Sequence, residues 1–227
     1  MTVALIPVKR LEESKSRLLS RLPDAERQAL TLAMLEDLLD ALSRTRGLER
    51  IAVTTPDPVV AERAITAGAE ILMRPEPGLN AALEDGRERL CAAPGGPSAE
   101  TSAQSILFVL GDVAGALPED FERLLSAGTR GDTPGIWLAP SADGGTSALL
   151  HRPAGVIPCC FGRDSAKRHR EAAAGAGIAY HEIELPSLAI DLDQPEDLEA
   201  FLATRGGGAR TRALLERVER AGGETTP

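Results

Sequence analysis

Short apolar runs alternate with segments of helical spacing along the first part of this 227-residue chain. The runs are as short as buried strands, and the segments between them repeat apolar residues every three or four positions. Strands that alternate with helices form a parallel sheet through right-handed crossovers. The pattern therefore predicts an α/β fold in three layers, with a mostly parallel central sheet and helices on both faces.

The predicted elements follow from this periodicity and from Gly and Pro at the segment ends. Strands are expected over residues 3–8, 51–55, 70–73, 105–110, 135–138, 146–150, 178–185 and 188–190. Helices are expected over residues 24–42, 59–68, 79–92, 118–127, 195–204 and 211–221, with a further basic helix after residue 165. Residues 93–102 are rich in Pro, Gly, Ser and Ala and predict a surface loop. We expect one domain over residues 1–205, then a C-terminal helix and tail over 206–227.

Composition limits the partners and the compartment. Hydrophobic residues make up 43% of the chain and aromatic residues only 3%, so stacking of nucleic-acid bases has little support. The cysteines are Cys91, Cys159 and Cys160, an odd number without metal-ligand spacing, which favours a reducing compartment. Because we find neither a membrane-length apolar run nor a signal peptide, a cytoplasmic protein with no membrane or nucleic-acid partner is expected. The oligomeric state stays open, a homodimer included.

A cluster of cations follows the first predicted strand. Lys9, Arg10, Lys15 and Arg17 stand there on a chain of formal net charge −9. In open α/β sheets, ligands bind beyond the carboxyl ends of the strands. A local cationic site on an acidic protein indicates a small polyanion as the ligand.

Carboxylates follow two other apolar segments. Asp112 follows the run over 105–110 and a glycine, and Asp191 and Asp193 come after the run over 188–190. In an extended segment, the side chains of Asp191 and Asp193 point to the same side. Mg²⁺ prefers a few carboxylates together with waters and substrate phosphates. Simpler interpretations stay open: Asp112 lies in a turn, and Asp193 caps the helix that follows.

Further candidates come from loops and helix starts. The glycine-rich loop that ends in Thr146 can present N–H groups to phosphate, as can the helix start with Gly162 and Ser165. Ser165 is also a candidate N-cap. Asn80 either caps a helix or reads a base edge through its amide. His169 lies in a basic run, where we expect a neutral surface histidine.

Taken together, these segments resemble the family of 2-phospho-L-lactate guanylyltransferases, also described as phosphoenolpyruvate guanylyltransferases, of coenzyme F420 biosynthesis. The matching pieces, in the family's order, are PVKRLEESKSRL, GLNAAL, VLGD, ADGGTSALL, FGRDSAKRHR and DLDQPEDL. The resemblance implies the fold of nucleotide-diphospho-sugar and molybdenum-cofactor nucleotidyltransferases. It implies transfer of GMP from GTP to the phosphate of a three-carbon phospho-acid, with Mg²⁺ as cofactor and pyrophosphate released.

The resemblance also implies a role for each candidate. Lys9, Lys15 and Arg17 would hold the nucleotide phosphates and act in catalysis, and Asn80 would lie near the guanine or ribose. The remaining candidates would bind Mg²⁺ (Asp112, Asp191 and Asp193) or the phosphate of the acceptor (Thr146, Gly162 and Ser165).

One segment departs from the family pattern. The family usually reads GDLP, with further apolar residues after the metal aspartate, whereas here Gly111 and Asp112 are followed by Val113-Ala114-Gly115-Ala116. Two alternatives to the guanylyltransferase stay open: a related nucleotidyltransferase that uses CTP or a molybdopterin acceptor, and a nucleotide-binding protein without activity. The acceptors phosphoenolpyruvate, 2-phospho-L-lactate and 3-phosphoglycerate are not distinguished.

Overall fold

The structure is a computed structural model, which describes residues 1–19, 21–75, 78–92, 104–129, 133–204 and 206–223. The surface loop predicted over residues 93–102 lies outside these ranges. Among the described residues, no helix combines the length and apolar character needed to cross a lipid bilayer.

Seven strands form one sheet within the described residues. They are β1 (Thr2–Pro7), β2 (Arg50–Thr55), β3 (Glu70–Met73), β4 (Ser105–Val109), β5 (Gly135–Pro140), β6 (Thr146–Arg152) and β7 (Ala179–Glu182). Their order across the sheet is β3-β2-β1-β4-β6-β5-β7, and only β6 pairs antiparallel with its neighbours. The mostly parallel sheet predicted from the strand–helix alternation is confirmed.

Seven α-helices are described, and they pack on both faces of the sheet. They are α1 (Asp24–Ser43), α2 (Pro58–Thr66), α3 (Leu79–Cys91), α4 (Pro118–Gly128), α5 (Ser165–Ala176), α6 (Pro195–Ala203) and α7 (Ala209–Gly223). The apolar residues of α1, α2 and α4 form the core on one face. Those of α3 and α5 form the core on the other face, which gives the predicted three layers.

Strand β1 shows how the sequence serves both cores. Val3 and Leu5 point to the α3–α5 side, whereas Ala4 and Ile6 point to the α1–α2–α4 side. All four side chains are fully buried, as expected for a central parallel strand covered on both faces.

A third apolar cluster joins α1 to the last two helices. It contains Met34 of α1, Phe201 of α6 and Leu215 of α7. Buried Asp37 accepts hydrogen bonds from the backbone N–H groups of Arg210 and Thr211 at 3.1 and 2.8 Å, which satisfies free donors at the start of α7.

The strand predicted over residues 188–190 is wrong. Pro186 to Leu188 form a 3₁₀ turn, and residues 189–193 continue without strand pairing. Leu188, like Leu185 before it, is buried in the core beside α4. The hydrophobicity of the run therefore reflects burial and not membership of the sheet.

Candidate active site

The segment after β1 is folded by contacts with two other elements. It makes two 3₁₀ turns, Leu11–Glu13 and Ser16–Leu18. Asp57, the N-cap of α2, accepts a hydrogen bond from the Leu11 N–H at 2.9 Å. Buried Arg27 of α1 donates to the Ser14 carbonyl at 2.6 Å. These two hydrogen bonds hold the backbone that leads into Lys15 in place.

Lys15 is the buried cation of this segment. Its backbone is left-handed, with φ 53° and ψ 38°, and only 6% of its side chain is exposed. Its Nζ lies 3.1 Å from Asp112 Oδ2 and 3.1 Å from Asp193 Oδ1. Arg17, two residues on, is 68% exposed and donates to the other oxygen of Asp193 at 3.0 Å. Lys15 and Arg17, which are both predicted to bind phosphate, thus both bind Asp193, which is predicted to bind the metal.

Asp112 is brought to Lys15 by the end of β4. Gly111 precedes it, and a Cβ at that position would lie 3.2 Å from the Pro7 carbonyl, so glycine permits the close approach of the two strand ends. The Asp112 carbonyl also accepts a hydrogen bond from Leu192 N at 3.3 Å. This bond places the segment containing Asp191 and Asp193 beside β4.

Asp193 is not the cap of α6, as one interpretation of the sequence had it. The N-cap is Gln194, and Asp197 accepts hydrogen bonds from the N–H groups of Asp193 and Gln194 at 2.9 and 2.6 Å. The cap interpretation is wrong because Gln194 holds the N-cap position, in a capping box with Asp197. The Asp193 carboxylate is therefore left for Lys15 and Arg17.

The charges of this cluster shift one another's pKa values. Burial lowers the pKa of Lys15, but Asp112 and Asp193 raise it by more, so the ammonium stays charged. Burial raises the pKa of Asp193, but Lys15, Arg17 and Lys9 lower it below its usual value. Asp191 has no such compensation: burial and the nearby carboxylates of Asp112 and Asp143 raise its pKa to about 6.

A cavity of about 360 Å³ opens beside the cluster. Of the predicted site residues, Lys9, Lys15, Asp112 and Asp193 line it, at the carboxyl ends of β1 and β4. The other residues in its wall are Pro7, Val8, Ser14, Thr31, Met34, Thr54, Thr55, Pro56, Arg74, Pro75, Gly78, Leu79, Ala82, Leu110 and Gly111. The wall is largely apolar away from the charged cluster, as is usual for small-molecule sites.

Thr146 and Ser165 form a second, buried group. The Ser165 hydroxyl donates to Thr146 Oγ1 at 2.9 Å, and Thr146 Oγ1 lies 3.2 Å from His169 Nδ1. Cys160 N donates to His169 Nε2 at 3.0 Å, so the ring proton is on Nδ1 and points to Thr146. Both hydroxyl-bearing residues are 1% exposed.

The prediction of a surface position for His169 is wrong, since the residue is 0% exposed. Its ring packs edge-on against Phe161 with centroids 4.9 Å apart. Burial, followed by the charge of Arg168, lowers its pKa to about 4, so the ring is neutral near pH 7. Ser165 is also not a cap, because Asp164 is the N-cap of α5.

The Asn80 side chain binds the backbone of Phe161, the residue before Gly162. The Asn80 amide donates to the Phe161 carbonyl at 3.1 Å and accepts from the Phe161 N–H at 2.8 Å. Gly78, not Asn80, is the N-cap of α3. Gly162 follows with a φ of +114°, a conformation that favours glycine. Asn80 therefore fastens α3 to the loop that carries Gly162, and its neighbours Leu79 and Ala82 line the cavity.

A turn between β5 and β6 connects the second group to the acidic cluster. Ala166 N, at the start of α5, lies 3.4 Å from the Gly144 carbonyl of this turn. Ala142 N donates to the Ala189 carbonyl at 2.9 Å, just before Asp191. The two groups thus follow one another along the same edge of the sheet, although Thr146, Gly162, Ser165, Asn80, Asp191 and Arg17 lie outside the cavity wall.

Three residues of the site were not found from the sequence. Arg27 and Asp197 hold Lys15 and Asp193 through the contacts described above. Arg74 lines the cavity and bonds to the Ala81 carbonyl at 2.7 Å and to Asp85 at 3.1 Å. Arg74 directly follows β3, so its position after a parallel strand is the signal that would have marked it.

The cluster fits a divalent cation. Asp112 Oδ1 is buried and makes no hydrogen bond with any described residue. The neighbouring donors are carboxylate oxygens, which hard cations such as Mg²⁺ prefer. Within the part of the chain that the structure describes, no group of three or more His, Cys, Asp or Glu is arranged to hold a metal by itself. An ion here would therefore need further ligands from a substrate.

Comparison with known proteins decides the family. Residues 2–221 match the family described as CofC-like guanylyl transferases. The chain belongs to this family. The resemblance drawn from the sequence is confirmed, and the protein is a nucleotidyltransferase. The alternative of a nucleotide-binding protein without activity is thereby set aside.

Two relatives and one solved structure are similar to this chain over most of its length. The chain is 40% identical over 210 residues to a phosphoenolpyruvate guanylyltransferase of Rubrobacter xylanophilus, covering 92% of this chain and 97% of the relative. It is 34% identical over 198 residues to a 3-phospho-D-glycerate guanylyltransferase of Colwellia psychrerythraea, covering 87% and 90%. A structure assigned as a nucleotide-diphospho-sugar transferase from Desulfovibrio desulfuricans aligns over 96% of this chain and 95% of its own, with a TM-score of 0.76 and 16% identity. That likeness confirms the predicted fold.

Proposed function

We propose that this protein transfers GMP from GTP to the phosphate of a three-carbon phospho-acid and releases pyrophosphate, as a step of coenzyme F420 biosynthesis. The acceptors proposed are phosphoenolpyruvate and 2-phospho-L-lactate. The 3-phospho-D-glycerate guanylyltransferase relative supports keeping that acid as a third candidate. The observation that carries the proposal is the contact of Lys15 with Asp112 and Asp193 at the wall of the cavity.

The nucleotide half of the site follows from the cavity. Lys9 and Lys15 line it, so a triphosphate bound there would meet two positive charges. Arg17 lies outside the wall but pairs with Asp193, which lines it, and so adds a third positive charge nearby. These cations would stabilise the charge that grows on the departing pyrophosphate. The apolar wall formed by Val8 and Leu79 leaves room for the base. Asn80 supports this wall from behind through Phe161, which is how we propose it serves nucleotide binding.

The acceptor half is proposed at the loop and helix start that carry Gly162 and Ser165. The hydroxyls of Thr146 and Ser165 are hydrogen-bonded to each other and buried, so they support this corner from beneath. The phosphate would bind main-chain N–H groups at the start of α5, where the helix dipole favours an anion. Arg163, with 96% of its side chain exposed, lies there 3.8 Å from the Asp164 carboxylate, and we propose that it turns to the acceptor phosphate.

A divalent cation, proposed as Mg²⁺, would be held by Asp112 and Asp191, together with Asp193. When bound, it would neutralise and orient the phosphates of the nucleotide. Burial raises the pKa of Asp191, and repulsion by the Asp112 and Asp143 carboxylates raises it further; a cation bound there would relieve this repulsion.

The reaction needs no general base from the chain. The phosphate oxygen of the acceptor is already anionic near neutral pH. His169, the histidine closest to the proposed acceptor corner, has both ring nitrogens engaged by Thr146 and Cys160. The residues therefore act by binding, by orientation and by electrostatic stabilisation of two polyanions.

The proposal is tested by a panel of purified reactions. The protein is incubated with Mg²⁺, with either GTP or CTP, and with each of the three phospho-acids, and products are identified by mass spectrometry. We expect a guanylylated phospho-acid and pyrophosphate with GTP, and far less product with CTP. A reaction that prefers CTP, or no product from GTP with any of the three phospho-acids, would contradict the proposal.

A further inference from the structure

Lys15 occupies the oxygens that a metal ion would need. Its ammonium lies 3.1 Å from Asp112 Oδ2 and 3.1 Å from Asp193 Oδ1, so it bridges carboxylates from two separate parts of the chain. Asp112 Oδ1 remains without a hydrogen bond from any described residue. One oxygen of Asp112 is thus held by an internal cation, and the other is free for an incoming one.

The charges of Asp112 and Asp193 are balanced before any ligand arrives. Asp112 and Asp193 supply two negative charges, and Lys15 and Arg17 supply two positive charges within hydrogen-bond distance. A divalent ion alone would add two positive charges beside two existing cations, which is unfavourable at such short range. A divalent ion that arrives with a triphosphate brings its own negative charge.

The two cations are not held alike. Lys15 is almost fully buried, whereas Arg17 is 68% exposed and touches only Asp193. A lysine ammonium is a compact charge on a flexible four-carbon stem, so it can exchange one anion for another by rotation of its side chain. Because Lys15 also lines the cavity, phosphate oxygens bound there lie within its reach.

We propose that Lys15 is an internal counterion that holds the metal-binding carboxylates until the metal and nucleotide arrive together. On their arrival the ammonium leaves Asp112 and Asp193 for the phosphates, and the divalent ion takes its place. The inference rests on the proposed metal–nucleotide site. It assigns to this one side chain the coupling between metal binding and nucleotide binding, so that the free protein binds divalent ions weakly.

The test is binding of Mn²⁺ in the absence of nucleotide, followed by the loss of the EPR signal of free Mn²⁺. We expect the wild-type protein to bind Mn²⁺ weakly and Lys15→Met to bind it at least about tenfold more tightly, since loss of the ammonium leaves two carboxylates for the ion. Lys15→Gln is expected to tighten binding in the same direction. Lys15→Arg keeps the charge and should bind Mn²⁺ as weakly as wild type.

Two controls locate the effect. Arg10→Met removes an exposed cation from the same segment and should leave Mn²⁺ affinity within about twofold of wild type. The double variant Lys15→Met/Asp112→Asn should lose the tight binding again. Circular dichroism and thermal unfolding confirm that each variant is folded.

Three results would overturn the inference. They are equal Mn²⁺ affinity of wild type and both neutral Lys15 variants, equal tightening by Arg10→Met, and tight binding that persists in the double variant. None of these measurements uses GTP or an acceptor. Failure of guanylyl transfer would therefore refute the proposed function through a different experiment.

Discussion

At the scale of single residues, the two oxygens of Asp112 have different surroundings. Oδ2 accepts a hydrogen bond from Lys15, and Oδ1 is buried without a hydrogen bond from the described residues. Leaving a buried carboxylate oxygen without a partner is costly, so such an atom indicates a ligand that the protein is built to receive. We therefore expect cation binding at this site to depend on the negative charge of Asp112 and not only on the shape of its side chain.

Replacing Asp112 with Asn tests that charge. The amide has nearly the same size, and the main-chain bond from Leu192 to the residue 112 carbonyl is kept, so we expect the fold to survive. Turnover with saturating GTP and phosphoenolpyruvate should fall at least ~10²-fold, by analogy with loss of a single electrostatic stabiliser. Asp40→Asn, at an exposed ion pair on α1, is the matched control and should leave turnover unchanged. Wild-type turnover of Asp112→Asn across a Mg²⁺ titration would contradict the assignment.

The sequence predicted which charged residues follow the end of a strand, but it did not predict that His169 is buried. Lys15 and Asp112 were predicted to lie together because each follows a parallel strand, and the carboxyl ends of such strands meet at one edge. Asp193 lies with them although the run before it is not a strand. His169 was placed on the surface because its neighbours in sequence are basic. Its burial depends on Phe161 and Thr146, which reach it only after α5 has packed on the sheet.

At the scale of elements, the loop after Asp112 packs against the glycine turn before α7. Val113 and Ala114 are 1% exposed, so this departure from the family pattern is part of the core. A Cβ on Gly207 would collide with the backbone of Gly115 and Ala116, whereas a Cβ on Gly206 would only reach ordinary contact at 3.8 Å. The C-terminal segment therefore supports the loop that carries the aspartate.

A matched pair of glycine variants tests this support. Gly207→Ala must push the 113–116 loop away and should lower the free energy of unfolding by about 1–3 kcal/mol. The same shift should lower turnover, because the loop begins directly after Asp112. Gly206→Ala should change stability by less than about 0.5 kcal/mol and leave turnover intact. Chemical denaturation and steady-state kinetics of both variants are the measurements, and equal behaviour of the pair would refute the packing argument.

The elements themselves were largely predictable, with one instructive exception. The predicted bounds of β3 agree with the structure, and those of α1 differ from it by one residue, because Gly and Pro mark their ends. Residues 188–190 were read as a strand because they are apolar and short, yet strand pairing needs an open sheet edge beside them. Their hydrophobicity serves the core beneath α4, which local sequence does not reveal.

At the scale of the whole molecule, two buried neutral histidines link stability to pH. His151 is 0% exposed, and neither ring nitrogen has a hydrogen-bond partner among the described residues. Burial, together with His169 and Arg87, lowers the pKa of His151 to about 3, and that of His169 is about 4. In the unfolded chain both would titrate near about 6.5.

Stability should therefore fall as the pH is lowered from about 6.5 toward 4. In that window the unfolded chain binds protons at both histidines and the folded protein does not, which costs about 1.4 kcal/mol per pH unit for each ring. His151→Leu removes one of the two sites and a buried polar group without partners. Its free energy of unfolding should decline less steeply than that of wild type between pH 6 and 4, by about 1.4 kcal/mol per pH unit.

The comparison isolates His151 because all carboxylates are common to both proteins and cancel in the difference. Urea unfolding at several pH values gives the two curves, and their separation between pH 7 and 8 should be constant, since both histidines are then neutral in both states. Curves that stay parallel down to pH 4 would show that His151 is protonated in the folded protein. The loss of stability at low pH would then have to come from His169 and from carboxylates with lowered pKa values, and not from Asp191. The pKa of Asp191 is raised to about 6, so its protonation stabilises the folded protein as the pH falls.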